Sequence, residues 1–180
     1  MKLIANLRRF ARAKSGLAAL EFAILLPMMV FVLFGSVDLI DVLGANKRAQ
    51  NVAASVADVV ARDTEITNSE VQGLWAAVEV LMFPNTGANM EIRVTSISIV
   101  SSTSAKVVWS EGHGGYAPRQ VNSTVALPSA MMQTGSSVIM TETIYHYTPP
   151  LGFIWTGPAD MRHTAYRRSR LIDPIPRLNQ

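Results

Sequence analysis

Three histidines, His113, His146 and His163, are the side chains best suited to catalysis or metal binding in this 180-residue chain. Their spacing matches no HExxH-type metal motif, and the chain contains no G-x-S-x-G nucleophile motif. The glycine-rich run 112–115 does not connect a strand to a helix, so it indicates a surface loop rather than a phosphate-binding loop. Because cysteine is absent, thiolate nucleophiles and thiolate metal sites are excluded. We therefore expect no enzymatic activity, no metal and no cofactor.

Glu21 is the only charged residue in an apolar stretch of twenty-one residues that runs from Leu17 to Val37. An ionisable group inside a membrane helix costs a few kcal/mol and usually has a partner. A specific pairing is one interpretation of Glu21. The other is a carboxylate close to the membrane interface whose side chain extends to the lipid headgroups. Gly16 directly precedes the stretch and lies five residues before Glu21.

The stretch itself has the length and composition of one membrane-spanning helix. At about 1.5 Å per residue it covers a hydrocarbon core of roughly 30 Å, and a helix satisfies its own backbone hydrogen bonds there. Five basic residues and no acidic ones precede it, whereas Asp38 and Asp41 follow it. This asymmetry predicts a cytoplasmic N-terminus and an external C-terminal part. A cleavable secretory signal is the alternative, but the apolar core is longer than is usual and no good small-residue cleavage site follows.

The net charge of +3 is concentrated in the N-terminal flank, residues 1–16. Of the sixteen Lys and Arg residues, five lie in this flank, which leaves eleven against thirteen acidic residues in the rest of the chain. We therefore expect no nucleic-acid partner. Without the flank and the apolar stretch, about 140 residues remain, enough for one modest domain.

The residues from Gly16 to Pro27, GLAALEFAILLP, place a glycine, four apolar residues, a glutamate, an aromatic residue and a further apolar run in order. This order resembles the class III signal of type IV pilin-like proteins. The sequence over roughly residues 8–50 is similar to that of the TadE/TadF pseudopilins of tight-adherence (Tad, Flp or type IVc) pili. The resemblance implies that a prepilin peptidase cuts between Gly16 and Leu17. It also implies that Glu21 and Phe22 act in subunit assembly.

Cleavage after Gly16 would leave a positive α-amine on Leu17, about one helical turn from Glu21. The amine of a neighbouring subunit would pair with this carboxylate and set the axial register, while in a lone subunit its own amine or the lipid headgroups would serve. The implied partners are prepilin peptidase, other pilin and pseudopilin subunits, the inner-membrane assembly platform and the lipid bilayer. The major pilins of these systems are much shorter chains, so the resemblance implies a minor subunit that initiates, caps or primes the filament.

Two helical segments are predicted beyond the membrane. One narrow apolar stripe runs from Ala45 to Ala61, extends the spanning helix and is expected to pack against the head; a coiled coil with a partner is the alternative. Thr67 and Glu70 have capping-box spacing and predict a second helix over residues 68–83. The stripe consists of Ala45, Ala49, Val52, Ala53, Val56, Val59 and Val60. The apolar face of the second helix consists of Val71, Leu74, Trp75, Val78, Leu81 and Met82.

After Gly87 the apolar period changes to two, which is typical of β-strands. The phase of the apolar residues changes within the first strand, which indicates a bulge near Thr95 or Ser96. The apolar loop at residues 149–155 is expected to cover the sheet or to meet a partner. Strands are predicted at 91–100, 105–109, 136–147 and 161–171. Five arginines are predicted to form one basic stripe, either solvated or in contact with an acidic partner: Arg162, Arg167, Arg168, Arg170 and Arg177.

These patterns predict an α+β protein in which a long N-terminal membrane-spanning α-helix carries a head of one further helix and an antiparallel β-sheet, the lollipop shape of pilins. The expected parts are a basic leader (1–16), a transmembrane part (17–43), an extramembrane part of the same helix (44–62) and a periplasmic head (63–180). The expected function is pilus assembly. The alternatives are a single-pass, membrane-anchored periplasmic binding or sensor module and a membrane-tethered hydrolase.

Overall fold

A computed structural model of the chain describes residues 15–178. Most of the predicted leader, residues 1–14, lies outside the described part. The long helix α1 spans Ser15–Val60 and the second helix α2 spans Asn68–Met82. The strands are β1 (Met90–Ser101), β2 (Ser104–His113), β3 (Ser137–Tyr147) and β4 (Ala159–Arg168). The predicted α+β architecture is therefore confirmed.

α1 joins the predicted membrane span and its extramembrane extension in one helix of 46 residues. The helix continues through Pro27, whose missing N–H is better tolerated in a membrane helix than in water. Side chains 16–34 are all exposed, and the most apolar 18-residue window has a mean hydropathy of 2.5 with none of its residues buried. Within residues 15–178, α1 is the helix with the length and apolar character needed to cross a membrane.

The outer half of α1 buries the predicted stripe against the chain's own head, where it packs on the sheet and on the second helix. Val59 is a correction, because it is 55% exposed while Ala57 is buried. Near its end the buried face of α1 turns towards Ala57 and Ala61, since the C-terminal segment crosses the helix there. The N–H of Arg170 donates to the carbonyl oxygen of Ala61 at 2.9 Å.

α2 starts with the predicted capping box. The N–H of Glu70 donates to the hydroxyl oxygen of Thr67 at 3.3 Å, and the carboxylate of Glu70 accepts the N–H of Thr67 at 2.6 Å. This backbone donor lowers the pKa of Glu70. Val71, Leu74, Val78 and Met82 are buried as predicted. Leu81 is exposed, because it lies at the edge of the apolar face.

The four strands form one antiparallel sheet in the order β2-β1-β3-β4. The predicted strands and the β1–β2 hairpin are confirmed, with ends that differ by a few residues. An irregularity does lie at the predicted position, Ser96, but it is in the pairing of β1 with β2, because β1 pairs with β3 without interruption. The register shift lies in the pairing with β2, where Ser96 faces Trp109 and Ile97 faces Val107, so the extra residue is Val108.

The change of apolar phase in β1 has a different cause from a bulge, namely that opposite faces of the sheet are buried along its length. Ile92 and Val94 point towards α1 and α2 and belong to the larger core. Ile97 and Ile99 point to the other face, where a loop covers them with Val125 and, in part, Leu127. The helix face of the sheet therefore holds the head on α1, and the membrane-distal half of the second face has a core of its own.

Candidate functional site

The four residues predicted for processing and assembly, Gly16, Leu17, Glu21 and Phe22, all lie on the apolar half of α1 and all are exposed. Leu17 and Glu21 are four residues apart, so they share one face of the helix. A methyl group added at Gly16 would meet no described atom within 4 Å. All four positions are accessible in the described part of the chain, and their roles stay predictions.

Asp38 connects α1 to the loop between β3 and β4. Its side chain is only 2% exposed, although it follows the apolar stretch directly. Its Oδ2 accepts two backbone N–H groups, from Phe153 at 2.6 Å and from Ile154 at 2.8 Å. Asp38 therefore fixes the loop that joins β3 to β4 onto α1. No periodic pattern links residues 115 positions apart, so the sequence carried no signal of this contact.

The apolar loop at residues 149–155 packs on α1 and does not cover the sheet as one of the two expectations had it. The ring of Phe153 lies 5.5 Å from that of Phe31 and 5.7 Å from that of Phe34, centroid to centroid. Gly35 is buried beneath the loop, and a Cβ added there would lie 2.3 Å from Cδ1 of Ile154. Glycine at position 35 thus lets the loop approach the helix closely.

Asp41 makes a second contact between α1 and the head, one turn above Asp38. The hydroxyl of Tyr147, the last residue of β3, donates to Oδ2 of Asp41 at 2.7 Å. Burial of Tyr147 raises its pKa, and the hydrogen bond to the Asp41 carboxylate raises it further. Tyr147 therefore stays a neutral donor at ordinary pH and ties the sheet to the helix.

Asp58 provides a third contact, at the opposite end of the head. It accepts from Arg62 on α1 at 2.5 Å and from Arg170 at 2.6 Å, and Nε of Arg167 lies 3.7 Å away. Helix, fourth strand and C-terminal segment meet at this carboxylate.

The single basic stripe predicted from the arginines is wrong, because the alternation of β4 divides them. Arg167 points towards α1, whereas Arg162 and Arg168 lie on the opposite face. Arg162 pairs with Asp160 at 2.9 Å, and Arg177 pairs with Glu111 at 2.8 Å. Most of these arginines therefore form ion pairs with carboxylates of the same chain.

The three histidines lie apart, each in a separate environment. His146 lies on the sheet face away from α1, with its ring nitrogens 2.7 Å from Asp160 and 3.1 Å from Glu91; these carboxylates raise its pKa. His163 faces α1 and shares a 3.0 Å hydrogen bond with Asn46, and burial lowers its pKa. The ring of His113 stacks on Trp75, which is half-buried. Residues 15–178 contain no group of three or more potential metal-ligating side chains.

The glycine-rich run 112–115 begins in the last two residues of β2 and continues into the loop that follows. Gly114 and Gly115 have φ values of +69° and +106°, which suit glycine. A Cβ at Gly112 would lie 1.9 Å from the carbonyl oxygen of Tyr116, so the loop folds tightly back on the strand. These features match a surface loop, as the sequence predicted.

Ion pairs connect strands and a loop on the sheet face that bears His146. Glu142 of β3 pairs with Arg93 of β1 at 2.7 Å and with Arg119 of the long loop at 2.9 Å. The guanidinium of Arg93 also lies 4.1 Å from the ring centre of Tyr116. The cluster fastens the loop to the sheet, which is a structural task.

Neither of two grooves within residues 15–178 combines a histidine with a serine and a carboxylate. One of about 660 Å³ follows the apolar side of α1 between Leu25 and Ser36. Another of about 390 Å³ in the head contains His163, but its lining includes no serine and no carboxylate.

Comparison with family models gives a match that lies within α1. The family model described as TadE-like protein matches residues 16–58, which lie within α1 and include all four predicted site residues. Searches of curated proteins and of solved structures give no match. The family is associated with the Tad pilus and is structural. The match confirms the resemblance drawn from the sequence over residues 16–58, and the long apolar helix supports a membrane location.

Proposed function

We propose that the protein is a minor pilin-like subunit, a pseudopilin, of a Tad pilus. In this proposal prepilin peptidase removes the leader 1–16 by cutting between Gly16 and Leu17. The mature chain is held in the inner membrane by residues 17–43, and its head, residues 63–180, lies in the periplasm on the extramembrane part 44–62. The observation that carries the proposal is the TadE-like match, which begins at Gly16 and extends along α1.

The position of Glu21 supports a role in assembly. Its carboxylate lies on an exposed, apolar part of α1, on the same face as Leu17. After cleavage the α-amine of Leu17 in one subunit neutralises Glu21 in the next, and this pairing offsets the cost of a carboxylate in lipid. Phe22 lies beside Glu21 and packs between neighbouring helices. Side-by-side stacking of α1 helices then places the heads on the outside.

The partners follow from this arrangement. Prepilin peptidase processes the leader, the inner-membrane platform receives the subunit, and other pilins and pseudopilins pack on α1. The major pilins of these systems are much shorter chains than this one. We therefore assign the protein to initiation of the pilus, with effects on biogenesis and adherence. Its contribution is structural and involves no catalysis.

The test is the N-terminal residue of the protein extracted from membranes, with and without the cognate prepilin peptidase. We expect Leu17 when the peptidase is present and Met1 when it is absent. The Gly16→Ala variant should keep Met1 in both cases. Gly73→Ala is the matched control, since Gly73 is exposed on α2 and a methyl group meets no atom within 4 Å there.

An intact Met1 in the presence of active peptidase would overturn the proposal. It would favour the alternative, a single-pass membrane-anchored periplasmic binding or sensor module, in which Gly16 and Glu21 have no joint role. Equal processing of Gly16→Ala and the parent chain would place the cut elsewhere and would also contradict the proposal.

A further inference from the structure

We propose that the loop segment Leu151–Trp155 is a second membrane contact of this protein. In this arrangement the loop lies in the lipid interface on the side of the membrane that holds the head, directly beside α1. The inference goes beyond pilus assembly, and it rests on membrane insertion of α1 but on neither cleavage nor filament formation.

The first observation is the exposure of the loop. Four of its five side chains are large and apolar, and each leaves about half of its surface uncovered: Leu151 54%, Phe153 45%, Ile154 53% and Trp155 48%. Single exposed apolar residues are ordinary, but a contiguous patch of this kind marks a contact with a protein or a membrane.

The second observation is the depth of the loop along α1. Phe153 contacts Phe31 and Phe34, which lie six and three residues before Val37, the end of the apolar stretch. At about 1.5 Å per residue these contacts lie about 9 Å and about 4.5 Å inside the end of the apolar stretch, the part of α1 whose length matches the hydrocarbon core. Interfacial segments bury their apolar side chains to about 5–10 Å, so the loop lies at the depth of such a segment.

The third observation concerns the backbone. A non-helical segment at this depth needs partners for its N–H groups, because the hydrocarbon region offers none. Asp38 supplies them for Phe153 and Ile154, with distances of 2.6 Å and 2.8 Å. The buried carboxylate thus satisfies the part of the loop that lies deepest on α1.

Lipid is favoured as the occupant because the patch continues an apolar surface that already faces the bilayer. Leu39 of α1 is exposed and lines one groove with Ile154 and Trp155. Trp155 combines an apolar ring with an N–H donor, which suits the headgroup boundary. With the helix and the loop both in the membrane, the head has two contacts and a fixed orientation to the bilayer.

Depth-dependent fluorescence quenching tests this inference in the full chain. The protein has no cysteine, so single-cysteine variants take one fluorophore each. We choose Trp155→Cys in the loop, Leu25→Cys in the exposed apolar part of α1, and Val100→Cys at the hairpin end, which is exposed and far from the membrane along β1. Each is reconstituted in phosphatidylcholine and phosphatidylglycerol vesicles that carry a shallow or a deep acyl-chain quencher.

We expect the label at position 155 to lose most of its emission with the shallow quencher, the label at position 25 with the deep quencher, and the label at position 100 with neither. If position 155 behaves as position 100 while position 25 is quenched, α1 spans the membrane and the proposed loop contact is wrong. A label at 155 that is shielded from water but not quenched by lipid indicates a second protein chain as the occupant and equally overturns it. Loss of quenching at position 25 contradicts the membrane anchor itself.

A second variant tests the part played by Asp38. Asp38→Ala, added to the Trp155→Cys chain, should release the loop and reduce the shallow quenching, while position 25 stays quenched. Asp41→Ala is the matched control, since Asp41 is one turn away and bonds to Tyr147 and not to the loop. Equal quenching in both variants would show that Asp38 does not hold the loop in the membrane.

Discussion

The hydroxyl of Tyr147 donates to the carboxylate of Asp41 over 2.7 Å, and this bond joins the last residue of β3 to the middle of α1, just beyond the apolar stretch. One turn below, Asp38 holds the β3–β4 loop, and at the far end of the head Asp58 binds Arg170. Three aspartates of α1 thus fasten the head along the length of the helix. Apolar packing alone would hold the head on the helix, but the carboxylates also determine its position along the axis.

Replacement of Tyr147 by Phe removes the hydroxyl and leaves the half-buried Asp41 without this donor. A hydrogen bond to a charged group contributes about 1.5–3 kcal/mol, so we expect the free energy of unfolding to fall by about 2 kcal/mol. Denaturant unfolding of the full chain in detergent, followed by tryptophan fluorescence, measures it. Tyr166→Phe is the control, because the Tyr166 hydroxyl makes no hydrogen bond within residues 15–178 and its loss should have little effect. Equal losses would show that the Asp41 contact adds no stability.

The helices and strands could be predicted because each depends on short-range periodicity. Each of these patterns is formed by residues that lie close together in the sequence: the apolar run from Leu17, the capping box at Thr67 and Glu70, and the alternation after Gly87. The candidate residues at Gly16 and Glu21 were found in the same way, from spacing and from the presence of a charge in an apolar stretch. The family match covers this same part of the chain.

The remaining contacts could not be predicted, because they join residues that are far apart in the sequence. Asp38 serves as an acceptor for Phe153 only after the sheet has brought the β3–β4 loop back to α1. Ile97 and Ile99 change the apolar phase of β1 because they are buried on the second face of the sheet, which a search for one core does not detect. Both features depend on tertiary packing that the local sequence pattern does not encode.

The C-terminal segment is expected to stabilise the head through Ile175, whose side chain is completely buried. Its carbonyl oxygen accepts the indole N–H of Trp109 at 2.8 Å, and the neighbouring Arg177 forms a bridge with Ile66. Ile175→Ala creates a cavity and should lower the free energy of unfolding by about 3 kcal/mol. Ile172→Ala, in the same segment but 43% exposed, should lower it by about 0.5 kcal/mol or less. Similar values for the two variants would contradict the burial seen here.

Two histidines of the head are expected to make stability depend on pH in opposite directions. His146 gains Glu91 and Asp160 on folding, so its folded pKa lies above 6.5; its contribution is complete below pH 6.5 and is lost as pH rises through the folded pKa. His163 is buried and its folded pKa lies below 6.5, so its contribution is complete above pH 6.5 and is lost as pH falls through the folded pKa. Imidazole NMR titration should show His146 above and His163 below 6.5, and His146→Gln should remove only the loss at higher pH. The reverse order of titration would refute the assignment.

Replacement of Glu21 by Gln is expected to separate processing from assembly. The amide keeps the size and polarity of the carboxylate but cannot pair as an ion with the α-amine of Leu17, so the axial register between helices is lost. Since Glu21 lies beyond the cut, the peptidase should still produce a chain that begins with Leu17. The measurements are the N-terminal residue in membranes and the number of pili per cell after complementation of a deletion strain, where we expect normal cleavage and a strong loss of pili. Glu65→Gln, exposed between the two helices, is the matched control and should restore pili fully. Full piliation by the Glu21→Gln protein would mean that the carboxylate is not a register contact, and its place in the apolar face of α1 would then need only the lipid headgroups.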